Sequence, residues 1–278
     1  MRPASPTSCG PDEVQREARP CPTVTIAFDE PLIRGTLVRR YQRFLAEVTL
    51  ETGETVTAHC ANSGSMLSVN AAGSEVWLSA ARNPIRRLRY TWELIRVGDT
   101  LVGINTARPN RLVAEAIARG AIPELTGYAV TRREVKYGRN SRIDLLLEGP
   151  DRPPCFIEIK NVTLRRDSRS GGPLEFPDAV TERGTKHLRE LAEAVQGGAR
   201  AVMVYLAQRD DGDHFVIAGD IDRAYAEALR AAMAAGVEAL CYRCRVSVSG
   251  ISVRDRVPVY PERGPQGYAR PPMDGIMT

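Results

Sequence analysis

Residues 141–162, SRIDLLLEGPDRPPCFIEIKNV, read as two β-strands, about 142–148 and 154–160, and the rest of the chain is arranged around them. Side chains two apart on a strand point the same way. Cys155, Ile157 and Ile159 therefore face apolar packing, while Glu158 and Lys160 share the opposite face. A carboxylate and an ammonium displayed on an apolar strand need a partner. Asp144, on the neighbouring strand, brings a second carboxylate to Glu158. Two such groups repel unless a proton or a cation comes between them. Mg2+ (or Mn2+) accepts few protein ligands and keeps several waters, which leaves room for a phosphate oxygen. The expected site is a metal-dependent phosphodiester centre, with Asp144 and Glu158 as ligands and Lys160 beside them.

The lysines point to the same place. Of 38 Lys and Arg, only Lys136, Lys160 and Lys186 are lysine, and all fall within 51 residues. A chain that uses arginine almost everywhere keeps lysine where a compact ammonium suits the site better than a planar fork. Chance placement of three residues is the competing explanation.

Outward from the central strands, the pattern is helices alternating with strands. A strand at 129–137 precedes them, and PNRLVAEAIARG (109–120) is a helix burying Leu112, Ala116 and Ile117. A helix at about 178–197 buries Leu188, Leu191, Ala192 and Val195. AVMVYLA (201–207) reads as a strand covered on both faces, HFVIAG as a further strand, 222–235 as an Ala-rich helix, and 237–247 as the last long strand. This α-β-β-β-α-β order gives an α/β sandwich around a mixed sheet. Before it, short strands spaced by glycine turns run from 24 to 105, in LIRGTLVRR, RFLAEVTL, TVTAHC, EVWLSA, LRYTWELIRV and LVGIN. They suggest a small barrel of the oligonucleotide-binding (OB) type. The fold class is thus α/β (α+β overall). Its parts are a disordered tail at 1–22, a barrel at 23–105, the sandwich at 106–257 and a disordered tail at 258–278.

A net charge of +4 does not by itself call for nucleic acid, but the charge is clustered. TRREVKYGRNSR (131–142) holds Arg132, Lys136 and Arg142, and RNPIRRLR (82–89) holds Arg86 and Arg87. On the barrel, Arg39, Arg40, Tyr41, Arg43 and Phe44 mix cations with aromatics, as do Arg89, Tyr90 and Trp92, the pattern of a surface that neutralises phosphate and stacks bases. Solvated edges and core aromatics are the plainer alternatives.

Around the centre, Glu115 is a candidate third carboxylate, with a surface helix position as its alternative. Asp178 is expected to cap the helix at 178–197, and Glu182 and Lys186 to form an i, i+4 ion pair. Gly184 in a helix implies close approach of another group. His187 is expected to be structural, with a phosphate contact as the alternative. The six cysteines form no disulfide framework, and CYRC (241–244) lacks a second pair for zinc. With no long apolar run and no secretory signal, the expectation is a cytoplasmic protein with no membrane partner.

LVRRYQRFLAEV (37–48), HCANSGSM (59–66), TWEL (91–94), NRLVAEAI (110–117), EVKYGRNSRIDLLLE (134–148), IEIKNVTL (157–164) and FPDAVTERGTKHLREL (176–191) resemble the sugar fermentation stimulation protein A (SfsA) family. The resemblance implies an OB-like domain followed by a domain of the PD-(D/E)xK nuclease class, DNA binding, and an influence on sugar utilisation. By position it implies that Asp144 is the nuclease-class aspartate, and that Glu158 and Lys160 are its ExK pair. Glu115 then matches the acid of the first helix and Lys186 the basic residue of the helix after the site. The residue before Asp144 is Ile143 and not the proline of the class motif, a proline that is often absent in that class. Three functions remain in view. They are a metal-dependent nuclease acting on DNA, a non-catalytic sequence-independent DNA-binding regulator, and, more remotely, a carbohydrate-active enzyme using two carboxylates. The strandedness of the DNA is open, and a homodimer is compatible with the sequence.

Overall fold

Alternating burial builds the N-terminal half. The computed structural model of the chain describes residues 24–83, 85–138, 141–169 and 171–261. The strands β1 (Val24–Ala27), β2 (Ile33–Tyr41), β3 (Leu45–Leu50), β4 (Thr55–Cys60), β5 (Glu75–Ala80), β6 (Tyr90–Val97) and β7 (Thr100–Gly103) come first. On β3, Ala46, Val48 and Leu50 point inward and meet Leu37, Trp92 and Ile95 in one apolar cluster. The sheet runs β4-β3-β2-β5-β6-β7, and parallel pairing of β4 with β6 closes five strands into the OB-like barrel. Gly35 lets β2 and β3 curve together, since a Cβ there would lie 2.6 Å from Val48 Cγ1. Two aromatics offered as base platforms sit differently. Trp92 is fully buried, its Nε1 donating to the Leu94 carbonyl at 2.9 Å, whereas Phe44 is exposed.

The second half contains α1 (Pro109–Ala118), β8 (Val130–Tyr137), β9 (Ser141–Gly149), β10 (Arg152–Val162), β11 (Leu174–Phe176), α2 (Glu182–Gln196), β12 (Arg200–Ala207), β13 (Phe215–Ile217), α3 (Arg223–Ala234), β14 (Glu238–Ser247), β15 (Gly250–Val257) and β16 (Val259–Tyr260). The main sheet has the order β1-β15-β14-β12-β10-β9-β8, with β10, β12 and β14 parallel and the other pairs antiparallel. Helix α1 packs on one face, burying Leu112, Val113 and Ile117 with Leu145, Ile157 and Val204. Helices α2 and α3 cover the other, with Leu188, Leu191 and Leu229 against Met203 and Tyr205. The fold is therefore the expected OB-like barrel followed by an α/β sandwich around a mixed sheet.

Three boundaries differ from the sequence reading. β1, assigned to the barrel unit 23–105, pairs instead with β15 at the edge of the large sheet. Val24 and Ile26 bury their side chains there, which the local pattern could not reveal. Val259–Tyr260, assigned to the tail 258–278, adds a third strand to β11 and β13. Helix α2 starts at Glu182, four residues later than expected, because Thr181 and not Asp178 caps it; the Thr181 hydroxyl accepts from Gly184 N at 3.1 Å. The segments 1–22 and 262–278, expected to be tails, lie outside the described residues. Cys60, Cys155, Cys241 and Cys244 are free and buried, in keeping with a packing role. Among the described residues no helix is long and apolar enough to cross a membrane.

Candidate active site

The β9–β10 ladder runs in register as far as Leu145 opposite Ile157, so one step further Asp144 faces Glu158. Asp144 takes over the role of a backbone carbonyl there. Its Oδ2 accepts from the Ile159 amide at 2.7 Å, and its Oδ1 accepts from Asn110 Nδ2 at 2.8 Å. Glu158 is 3% exposed, and its Oε1 accepts from both Lys160 Nζ, at 2.7 Å, and His187 Nδ1. Its other oxygen, Oε2, is buried without a hydrogen-bond partner. A buried, unpaired carboxylate oxygen is costly unless something else is there to receive it.

The two carboxyls respond in opposite directions. Burial, and then the charge of Glu158, push Asp144 up to about 6, more than its two hydrogen bonds and Lys160 can offset. Burial pushes Glu158 up, but the hydrogen bonds and charges that His187 and Lys160 bring to it together outweigh burial, and the net shift is downward. One acid thus holds a firm negative charge while its neighbour resists ionising beside it.

These groups line a cavity of about 460 Å³ at the junction of the two halves. The sandwich contributes Asn110, Asp144, Glu158, Lys160, Arg183 and His187, and the barrel contributes Arg43 and Asn62–Gly64. The roof is pinned in place. Arg40 donates to the Asn62 and Gly64 carbonyls at 2.9 Å and to those of Arg43 and Ser65 at 3.0 and 3.2 Å. Asp178 Oδ2 accepts from the Met66 amide at 2.8 Å, which is why it is not available to cap α2.

The other expected residues are distributed unevenly. Glu115 does not line the cavity; it pairs with Arg119 at 3.7 Å on the outer face of α1, and Asn110 is the side chain that α1 sends to the centre. Lys186 also lies outside, half-exposed and 3.6 Å from Glu190, so the i, i+4 ion pair forms one turn later, with Glu190, in place of the expected pair with Glu182. Arg39 pairs with Glu47 at 2.7 Å beside Tyr41, and Arg132 with Glu148 at 3.6 Å. Arg86 donates to Thr91 Oγ1 at 3.1 Å and Arg87 is exposed. Lys136 and Arg142 flank a second pocket of about 350 Å³ with Tyr137 and Ser141. Sequence reasoning missed Asn110, Arg183 and the contact His187 makes. The one available signal was the i, i+4 spacing of Arg183 and His187 just past the helix cap.

The candidate donors are the carboxylate oxygens of Asp144 and Glu158, a set suited to a hard divalent cation. Among the described residues no group of three or more His, Cys, Asp or Glu is placed to hold a metal ion. Two carboxylates with an open side fit an ion that keeps waters and takes substrate oxygens.

An OB-like barrel roofing an α/β sandwich, with an acid pair and a lysine at the seam, defines the class of protein. The chain belongs to the sugar fermentation stimulation protein family. Residues 107–250 match the model described as the sugar fermentation stimulation protein RE domain, and residues 38–104 match the SfsA N-terminal OB domain. It is 58% identical over 240 residues to a sugar fermentation stimulation protein homolog of Rhodospirillum rubrum, covering 84% of this chain and 98% of the relative. The homolog of Rhodospirillum centenum is 61% identical over 226 residues, covering 81% and 96%. Among solved structures, Pyrococcus furiosus SfsA in complex with Ca2+ superposes with a TM-score of 0.77 at 25% identity, covering 84% of this chain and 98% of that one.

Proposed function

We propose that this chain binds DNA and hydrolyses phosphodiester bonds in the seam cavity with the help of Mg2+ or Mn2+. The observation that carries the reading is the partnerless, buried Oε2 of Glu158 beside an Asp144 carboxyl that resists ionising. A module that only bound DNA would gain nothing from two acids facing phosphate, whereas a cation between them relieves both costs. The archaeal relative solved with Ca2+ supports a divalent-ion site in this fold.

Asp144 and Glu158 would hold the ion. When bound, it supplies positive charge that polarises a phosphoryl oxygen and stabilises charge developing at phosphorus. Lys160, held by Glu158 at the cavity wall, donates to the attacking water or to the phosphate it approaches. Arg43 from the barrel and Arg183 from α2 bracket the same space and orient the backbone of the strand. Arg87, Lys136 and Arg142 extend the positive surface beyond the cavity.

Purified protein incubated with supercoiled plasmid or single-stranded DNA and Mg2+ or Mn2+ tests this. Nicking or shortening that disappears in Lys160→Ala and Asp144→Ala is the expected result. Intact DNA in every lane, together with a retained gel shift, establishes instead a non-catalytic DNA-binding protein on a nuclease scaffold. One feature favours that second reading: Glu115, the acid expected from the first helix, does not line the cavity.

A further inference from the structure

We infer that His187 is a positioning residue that selects which oxygen of Glu158 faces the cation; this rests on the proposed reading of the cavity as a divalent-ion site. His187 is 3% exposed on α2, with Nδ1 bonded to Glu158 Oε1. One helical turn earlier, Arg183 Nε lies 3.4 Å from His187 Nε2. A guanidinium can only donate, so Nε2 accepts and Nδ1 carries the hydrogen given to Glu158. The tautomer is thus set from the cavity wall.

Lys160 Nζ donates to the same Oε1, so that oxygen is engaged twice while Oε2 has no partner. Two donors converging from a strand and a helix hold the carboxylate plane and leave one oxygen for an ion. Without His187, Lys160 alone holds Oε1, and rotation about the last side-chain bond can exchange the two oxygens. Groups that orient a ligating carboxylate in this way commonly change metal affinity about 10–100-fold. Arg183 also lines the cavity, so a phosphate it contacts is mechanically linked, through His187, to the ligand oxygen.

The test is Mn2+ binding to the full chain, read from the paramagnetic resonance signal of free Mn2+, in wild type, His187→Ala, His187→Asn, His187→Gln and Asp144→Asn. An Asn amide nitrogen takes the place of Nδ1, and a Gln amide nitrogen takes that of Nε2. His187→Ala and His187→Gln should bind at least about tenfold more weakly than wild type, and His187→Asn within about threefold of it. A merely structural histidine does not separate Asn from Gln in this order. Should His187→Ala fail to fold, the Asn–Gln contrast decides alone. Wild-type affinity in His187→Gln overturns the role of His187 while leaving the ion site standing. Failure of the wild type to bind Mn2+, or equal binding by Asp144→Asn, removes the ion site and this role with it.

Discussion

Asp144 is ionised at a cost. Its carboxyl titrates near 6 in the folded chain against an ordinary 3.8, so between those values the folded state holds a proton that the unfolded state has lost. Stability therefore falls as pH rises through this window and is level above it. A shift of this size is worth about 3 kcal/mol at pH 8 and about 1 kcal/mol at pH 4.5. Asp144→Asn keeps an acceptor for the Ile159 amide, and Asn110 can turn its amide to receive the new donor. In metal-free urea titrations the variant should thus be the more stable protein at pH 8, by roughly 2–3 kcal/mol, with the gap narrowing by about 2 kcal/mol at pH 4.5. A constant difference across pH would show that the mutation acts through packing and not through charge. Glu158 runs the other way: its contribution is present above 4.5 and is lost as pH falls through its lower folded value. Asp144, Glu158 and Lys160 were legible in the sequence because strand periodicity fixes which side chains share a face. Asn110 and His187 were not, since they arrive from helices 34 and 29 residues away from the acids they contact.

Helix α2 shows how an element's start is set by its neighbours as much as by its own residues. Both Asp178 and Thr181 are good capping residues, and the local sequence does not rank them. The barrel decides, because the Met66 amide takes the Asp178 carboxylate and leaves Thr181 to satisfy Gly184 N. Thr181→Ala should cost about 1 kcal/mol of unfolding free energy through the lost cap. Asp178→Ala should cost about 1–3 kcal/mol by stranding a part-buried amide, and should also speed hydrogen exchange at Met66. Equal exchange at Met66 in both variants would mean that the two halves are not joined through that contact. Gly184 adds a third case. Helix propensity favours alanine there by about 1 kcal/mol, yet its Cβ would meet Thr181 Oγ1 at 2.9 Å and Tyr225 Cε2 at 3.0 Å. Gly184→Ala is expected to destabilise by about 1–2 kcal/mol, since the cap and a fully buried tyrosine must both give way. The helix interior glycine announced a close approach in the sequence; that the approaching group is Tyr225 of α3 became visible only in three dimensions.

At the scale of the whole molecule, barrel and sandwich are joined by buried polar contacts. Glu93 of the barrel accepts from Arg108 Nε at 2.6 Å and from Asn105 Nδ2 at 3.0 Å, and Gln208 Nε2 donates to the Asn105 carbonyl at 3.2 Å. The cavity between them is thus held open by the fold itself. Charge is distributed unequally around it: Arg40 is consumed in pinning the roof, while Lys136 and Arg142 stand directly opposite each other on β8 and β9. Like charges in that register are destabilising by a few tenths of a kcal/mol to about 1 kcal/mol. β8 is also the edge of the large sheet, where cations discourage pairing with another chain. DNA binding and edge protection give different expectations for Arg142→Thr. If the pair meets phosphate, the variant is slightly more stable and binds DNA more weakly at low salt. The slope of log affinity against log salt should then become shallower by about 0.9, the signature of one lost phosphate contact. If the pair only guards the edge, the stability gain appears with an unchanged slope, and self-association in sedimentation rises instead. Titrations of a labelled duplex and a labelled single strand between low and physiological salt separate the two outcomes, and the strand type with the larger change in slope is the one that crosses this edge.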